Sequence, residues 1–123
     1  MSIIKDINLA PSGEMKINWV ERNMPVLRGI GRRFSEEKPF KGLKVALSVH
    51  LEAKTAYLCR VMEMGGAEMY VTGSNPLSTQ DDVAAALAAG GMNVFAEYGC
   101  TEQQYEDCLR EVLKIGPNII IDD

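Results

Sequence analysis

The sequence predicts an α/β fold, an open parallel sheet of about four strands with crossover helices, preceded by an N-terminal helical arm. Three observations carry this reading. From Leu43 onward, short strand-like apolar runs alternate with segments of helical period. Gly-Gly or Gly-Pro pairs close the helical segments. The first third of the chain shows helical patterning. Strands that alternate with helices pair in parallel, because the intervening helix carries the chain back to the same end of the sheet through a right-handed crossover.

In the arm, Ser12 is placed to cap a helix through residues 13–20, with Met15, Trp19 and Val20 near one face. Pro25 lacks an N–H and clashes with the preceding turn, so it either breaks this helix or opens a second one over residues 25–34. Pro39 and Gly42 close the segment, separating an arm of residues 1–42 from an α/β region of residues 43–123. Residues 43–49 read as the first strand. A helix follows from Ala53 to Met64, with Leu58, Val61 and Met62 at helical spacing and Gly65-Gly66 at its end. Residues 69–72 form the second strand. Ser78-Thr79-Gln80-Asp81 carries a capping-box pattern ahead of an alanine- and leucine-rich helix that Gly90-Gly91 stop. Asn93 to Ala96 is the third strand, and Thr101-Glu102-Gln103-Gln104 a second capping box. The helix through Tyr105, Leu109, Val112 and Leu113 ends at Gly116-Pro117. Residues 118–121 are the fourth strand, followed by Asp122-Asp123. The rhythm is Rossmann-like.

Composition narrows the function. The 123 residues, 46% apolar, suit one domain, since domains typically run ~100–150 residues. A chain of this size buries ~65% of its unfolded surface. Thirteen Lys+Arg against seventeen Asp+Glu give a net charge of -4, and no basic stripe is present. That argues against nucleic acid, whose affinity comes largely from cations meeting phosphates. No apolar run approaches the ~20 residues of a membrane span. The start, Met1-Ser2-Ile3-Ile4-Lys5-Asp6, lacks the pattern of a signal peptide, so a cytoplasmic location is expected. Cys59, Cys100 and Cys108 are odd in number and unpatterned, and His50 is the single histidine, which fits no zinc set. A Cys–His nucleophile pair stays open beside the plainer reading of buried structural cysteines.

In open parallel sheets, ligands bind outside the carboxyl ends of the strands. The chemically useful residues fall there: His50 and Glu52 after the first strand, Ser74, Asn75, Ser78 and Gln80 after the second, Cys100 and Thr101 after the third, Asp122-Asp123 after the fourth. Each has a plain reading as well. His50 is either a hydrogen-bonded structural residue or the one group able to move a proton near pH 7. Ser78 and Thr79 are most simply helix caps, Asn75-Pro76 a turn, and Glu52 with Lys54 an exposed first helical turn. A dinucleotide fingerprint is lacking: Gly29-Ile30-Gly31 has Phe34 where a third glycine belongs and no strand before it.

Taken as ordered motifs, the residues are more specific. His50-Leu51-Glu52-Ala53-Lys54-Thr55-Ala56, Gly65-Gly66-Ala67-Glu68, and Gly73-Ser74-Asn75-Pro76-Leu77-Ser78-Thr79-Gln80-Asp81-Asp82 resemble the N-terminal substrate-binding region of the adenosylhomocysteinase family. The likeness extends through Ile7-Asn8-Leu9-Ala10, Met24-Pro25, Tyr105 and Ile120-Ile121-Asp122-Asp123. It implies a cytoplasmic homo-oligomer that reversibly cleaves S-adenosylhomocysteine to adenosine and homocysteine, with tightly bound NAD oxidising and later reducing the ribose 3′ position.

By that resemblance His50 and Asp123 are the catalytic acid/base residues, and Glu52, Lys54, Asn75, Ser78, Gln80 and Asp123 bind the nucleoside thioether. The family often has Thr where Glu52 stands, and Glu or Gln where Lys54 stands. A carboxylate beside an ammonium suits hypoxanthine, so an inosyl substrate is a possible preference. The family's NAD-binding segment has no counterpart here, so these residues alone are expected to bind no NAD and to be inactive. The alternative is a free-standing nucleoside- or partner-binding domain, such as one subunit of a split enzyme.

Overall fold

A computed structural model describes residues 1–123. The elements run β1 (Ile3–Ile4), α1 (Ala10–Asn23), α2 (Pro25–Glu37), β2 (Lys44–Ser48), α3 (Ala53–Met64), β3 (Glu68–Thr72), α4 (Asp81–Ala89), β4 (Asn93–Ala96), α5 (Glu102–Leu113) and β5 (Ile119–Asp122). The five strands form one sheet in the order β1-β4-β3-β2-β5, and every pairing is parallel. The α/β class and the open parallel sheet are as the sequence predicts. The sheet gains a fifth strand, β1, because Ile3 and Ile4 pair with Phe95 and Ala96. Two residues are too few to register as a periodic pattern.

Alternation along the strands builds two apolar layers. Val45, Leu47, Met69, Val71, Val94 and Ala96 join Ile17 and Val20 of α1, Val61 and Met62 of α3 and Val83, Ala84, Ala86 and Leu87 of α4 in the larger core. Ala46 and Phe95 point the other way, against Cys108 and Val112 of α5. Successive strand side chains take opposite faces, so one strand serves both layers. The chain steps from β2 to β3 to β4 through α3 and α4, then returns past them through α5 to β5. Right-handed crossovers therefore put α5 on the opposite face from α3 and α4.

The arm packs onto the sheet's helical layer. Pro25 sits at the first position of α2, with the break at Met24, so the second-helix reading holds. The α1 start differs from expectation. The helix opens at Ala10, after a 3-10 turn over Ile7–Leu9 that Asp6 caps. Ser12 lies inside its first turn and donates instead to Asp82 Oδ2 at 2.7 Å. Gly13 sits where α1 meets α4; a Cβ there would lie 1.9 Å from the Asp82 carbonyl oxygen. Only glycine allows that approach.

At α4 the expected cap is also displaced. The helix begins at Asp81 with Gln80 at the cap position, and no side chain caps it. Ser78 and Thr79 stand in the preceding turn, where Asn75-Pro76 bends the chain before the helix can start. At α5 the capping box forms as read: Gln104 N–H donates to Thr101 Oγ1 at 3.2 Å, and Thr101 N–H to Gln104 Oε1 at 2.8 Å.

Candidate functional site

β2 lies between β3 and β5, and the crossovers diverge from it, so the carboxyl end of β2 is the topological switch point. Ser48 pairs with Asp122 there. His50 follows Ser48 by two residues and Asp123 follows Asp122 by one, so both stand just past the carboxyl ends of neighbouring strands. A cavity of about 180 Å³ between these strand ends and α5 is lined by Ser48, Tyr105, Ile120 and Asp122, while His50 and Asp123 stand outside its lining. Both carboxylates are exposed. The Asp122 side chain accepts from the Asp123 N–H at 3.0 Å, leaving the Asp123 carboxylate without a partner in the chain.

The β2 and β3 loops are tied to each other by backbone. Ser74 N–H donates to the Val49 carbonyl at 3.3 Å and Gln80 N–H to the Leu51 carbonyl at 3.0 Å. Leu51, 0% exposed, plugs the core between exposed His50 and half-buried Glu52. These ties bring His50 Nδ1 to 2.6 Å from Ser78 Oγ. Asn75 organises the turn: its Oδ1 accepts from Leu77 N–H at 2.9 Å, while its carbonyl accepts from Ser78 and Thr79. Gly73 makes room for Thr79, since a Cβ there would lie 2.6 Å from Thr79 Oγ1.

Glu52 and Lys54 take a different place, at the start of α3. Glu52 caps the helix, accepting from Thr55 N–H at 3.0 Å. With Met15, Lys16, Trp19, Val20 and Ala53 these two residues line an open groove of about 430 Å³ between α1 and α3. Trp19 is 58% exposed along it. Gln80 stands one step away, with Lys16 Nζ donating to its Oε1 at 3.2 Å. The predicted residues thus form three groups: His50, Ser78 and Asn75 at the edge, Asp123 across the switch point, and Glu52 with Lys54 in the α1–α3 groove. Gln80 joins the last group through Lys16.

The sequence reading overlooked Trp19, Met15 and Lys16 as groove residues, because a Met–aromatic stripe on a helix reads as core. It also assigned no task to Ser74, whose buried Oγ has no partner in the chain. The signal was the exposure of a tryptophan beside Glu52, which only packing reveals.

The thiols are poor nucleophiles. Burial pushes Cys59 up to about 12 and Cys108 up to about 11. Cys100 is also raised, first by burial and then by Glu97. Thiolate is the reactive form, and raised thiols of this kind argue against a Cys–His nucleophile. The hydrogen bond of His50 goes to Ser78 instead.

A parallel sheet of this topology, with His50 and Asp123 just past the strand ends at its switch point and a groove bordered by Trp19 alongside, defines a Rossmann-like α/β domain. Sequence comparison places it more narrowly. The model of the S-adenosyl-L-homocysteine hydrolase family matches residues 1–123, and the chain belongs to that family. It is 54% identical over 120 residues to the adenosylhomocysteinase of Thermococcus kodakarensis, covering 98% of this chain and 28% of that protein. It is 52% identical over 123 residues to the S-inosyl-L-homocysteine hydrolase of Methanococcus maripaludis, covering 100% of this chain and 30% of that protein. The adenosylhomocysteinase of Pyrococcus abyssi is 53% identical over 120 residues, again with 28% of its length covered. The chain therefore spans less than a third of the length of these relatives. No helix is long and apolar enough to cross a membrane.

The dinucleotide that the resemblance implies does not fit on these residues. Gly29 and Gly31 lie inside α2, whereas a pyrophosphate loop joins a strand to a helix. The strand-to-helix turns at the carboxyl edge meet helices whose first residues or cap are acidic, Glu52 at α3, Asp81 and Asp82 at α4 and Glu102 at α5, and these carboxylates repel a pyrophosphate.

Proposed function

We propose that this chain forms one wall of the nucleoside-thioether site in an enzyme that reversibly hydrolyses S-adenosyl- or S-inosyl-L-homocysteine. The observation that carries the reading is the placement of His50 and Asp123 just past the ends of neighbouring strands at the switch point. A histidine and a carboxylate there can face one ligand from two sides and hold or move protons at its reacting end. In this reading residues 1–42 are a buttressing arm, and residues 43–123 are the Rossmann-like part of the substrate-binding domain. NAD-dependent oxidation of the ribose belongs to the complete enzyme, whose family resemblance also suggests a homo-oligomer. A cytoplasmic setting fits its three free cysteines.

The α1–α3 groove is where we place the purine. Trp19 supplies an aromatic surface, Glu52 an acceptor and Lys54 a donor that makes no ion pair or hydrogen bond within the chain. A carboxylate and an ammonium side by side match the N–H and carbonyl of hypoxanthine, whereas the amino group and ring nitrogen of adenine use Glu52 alone. This favours the inosyl thioether, and one of the relatives named above carries that name.

Titrating the chain with each thioether, followed by nuclear magnetic resonance, tests both statements. The expected result is saturable binding that moves the His50 imidazole and the Glu52–Lys54 amides, tighter for the inosyl compound. Glu52→Ala is expected to weaken it about tenfold, the equivalent of one charge-assisted hydrogen bond of about 1.4 kcal/mol. Binding that leaves His50 unmoved overturns the site. Equal affinity with the adenosyl compound overturns the base preference.

A further inference from the structure

We propose that Ser78 is a positioning residue for His50: its hydroxyl donates to Nδ1 and holds the neutral imidazole with its proton on Nε2, so that the exposed ring keeps an N–H free to donate. The competing acceptor for the Ser78 proton is the Asn75 carbonyl oxygen, and that oxygen is crowded. It accepts from Ser78 N–H at 3.1 Å and from Thr79 Oγ1 at 3.2 Å, with Ser78 Oγ a third claimant at 3.1 Å. A carbonyl oxygen offers two lone pairs. Thr79 is buried, and its hydroxyl has no other acceptor. The Ser78 proton is left for the shorter contact, His50 Nδ1 at 2.6 Å. A ring nitrogen that accepts carries no proton, so the neutral ring keeps it on Nε2.

Helix capping does not account for Ser78. The helix α4 starts at Asp81, and no side chain caps it. The turn that presents Ser78 is braced from three sides instead: Leu77 N–H on Asn75 Oδ1, Thr79 against Gly73, and Gln80 N–H on the Leu51 carbonyl. On the histidine side, Glu52 N–H donates to the His50 carbonyl at 3.1 Å. Both partners of the 2.6 Å contact are therefore held by backbone. Second-layer bonds of this kind decide which ring nitrogen works.

The consequence is a free donor at the carboxyl edge of the sheet. An Nε2–H recognises a ligand atom with a lone pair and strengthens its hold as that atom gains negative charge, as a thioether sulfur does when its carbon bond breaks. That consequence rests on the proposed nucleoside-thioether site; the tautomer itself does not.

His50 is the only histidine in the chain, so long-range proton–nitrogen correlation spectra show a single imidazole. Recorded without ligand and at a pH where the ring is neutral, the spectrum is expected to show Nε2 protonated and Nδ1 as a hydrogen-bonded acceptor. Ser78→Ala should return the Nδ1 resonance to the position of a free acceptor, and Ser78→Thr, which keeps the hydroxyl, should preserve it. A wild-type proton on Nδ1 overturns the proposal, and so does a Ser78→Ala variant with an unchanged Nδ1 resonance. The wild-type measurement needs no variant to fold. It also needs no ligand, so failure of the chain to bind nucleoside thioethers would remove the proposed function without touching this result.

Discussion

Along the seam between α1 and α4, polar side chains satisfy one another. Ser12 donates to Asp82 at 2.7 Å, and Lys16 reaches Asp82 at 2.8 Å and Gln80 at 3.2 Å. Nearby, Arg60 of α3 forks both oxygens of Glu14 of α1. At the carboxyl edge the same kinds of residue stop short of mutual satisfaction. His50 has one nitrogen engaged, Asp123 and Lys54 keep their charged groups unpaired, and Ser74 Oγ is buried without a partner. Groups that complete each other's hydrogen bonds fasten elements together. Groups held in place with valences to spare are the ones that can bind a ligand: exposed His50, Asp123 and Lys54 can exchange water for it, and the buried Ser74 hydroxyl costs free energy while its bond is unmet.

The sharpest way to break this contrast is to loosen the edge without touching its polar groups. Leu51 is fully buried between His50 and Glu52. Leu51→Ala should cost ~2–5 kcal/mol in urea unfolding, and it should broaden the His50 imidazole signal in the remaining folded fraction. A variant that loses stability yet keeps a sharp imidazole would show that backbone ties, not the Leu51 plug, fix the edge.

The seam has its own test. Gly13→Ala forces a methyl group onto the Asp82 carbonyl, and overpacking of this sort should cost about 1–3 kcal/mol. The His50 spectrum should stay as it is, since the α1–α4 contact lies apart from the Ser78 turn. A change at His50 would mean that the two regions are coupled.

The smallest effect is electrostatic. Burial pushes the Asp82 carboxyl up, but hydrogen bonds from Lys16 and Ser12, the Lys16 charge and the Val83 N–H together outweigh it and hold it below its ordinary 3.8. Hydrogen bonding from Arg60 holds Glu14 below its ordinary 4.5, against burial and with the Arg60 charge assisting. A carboxylate depressed on folding contributes stability above its unfolded pKa and loses it as pH falls through the folded one. The urea midpoint should therefore decline as pH drops below about 4.5, through the values of both groups. Lys16 is half exposed, so Lys16→Met should cost only ~0.5 kcal/mol at neutral pH and should flatten that decline.

Much of this was legible in the sequence. The rhythm of strand and helix gave the parallel sheet, and Thr101 with Gln104 gave a capping box that forms as written. His50, Asn75 and Ser78 were legible as residues of the carboxyl edge, His50 after the first strand read and Asn75 with Ser78 after the second. The work of Ser78 was not. A serine before a helix reads as a cap by local rules, and only the neighbouring β2 loop, 28 residues earlier, supplies its actual partner. Ser12 misled for the same reason, since Asp82 lies 70 residues away. The groove was hidden because Trp19 and Met15 share the helical spacing of core residues.

What the sequence determined by itself was everything set by short-range patterning: the element types, their order, the alternation that makes a two-faced sheet, and the polar residues just past the strand ends. Tertiary structure decided which of those residues meet. The return of α5 across the sheet makes β2 a switch point and brings the strand that leads to Asp123 next to the one that leads to His50. The ties between the β2 and β3 loops turn a would-be helix cap into a partner of the histidine. Hydrogen-bond capacity is written in each residue, but which acceptor lies within 3 Å of which donor is fixed only when distant segments pack.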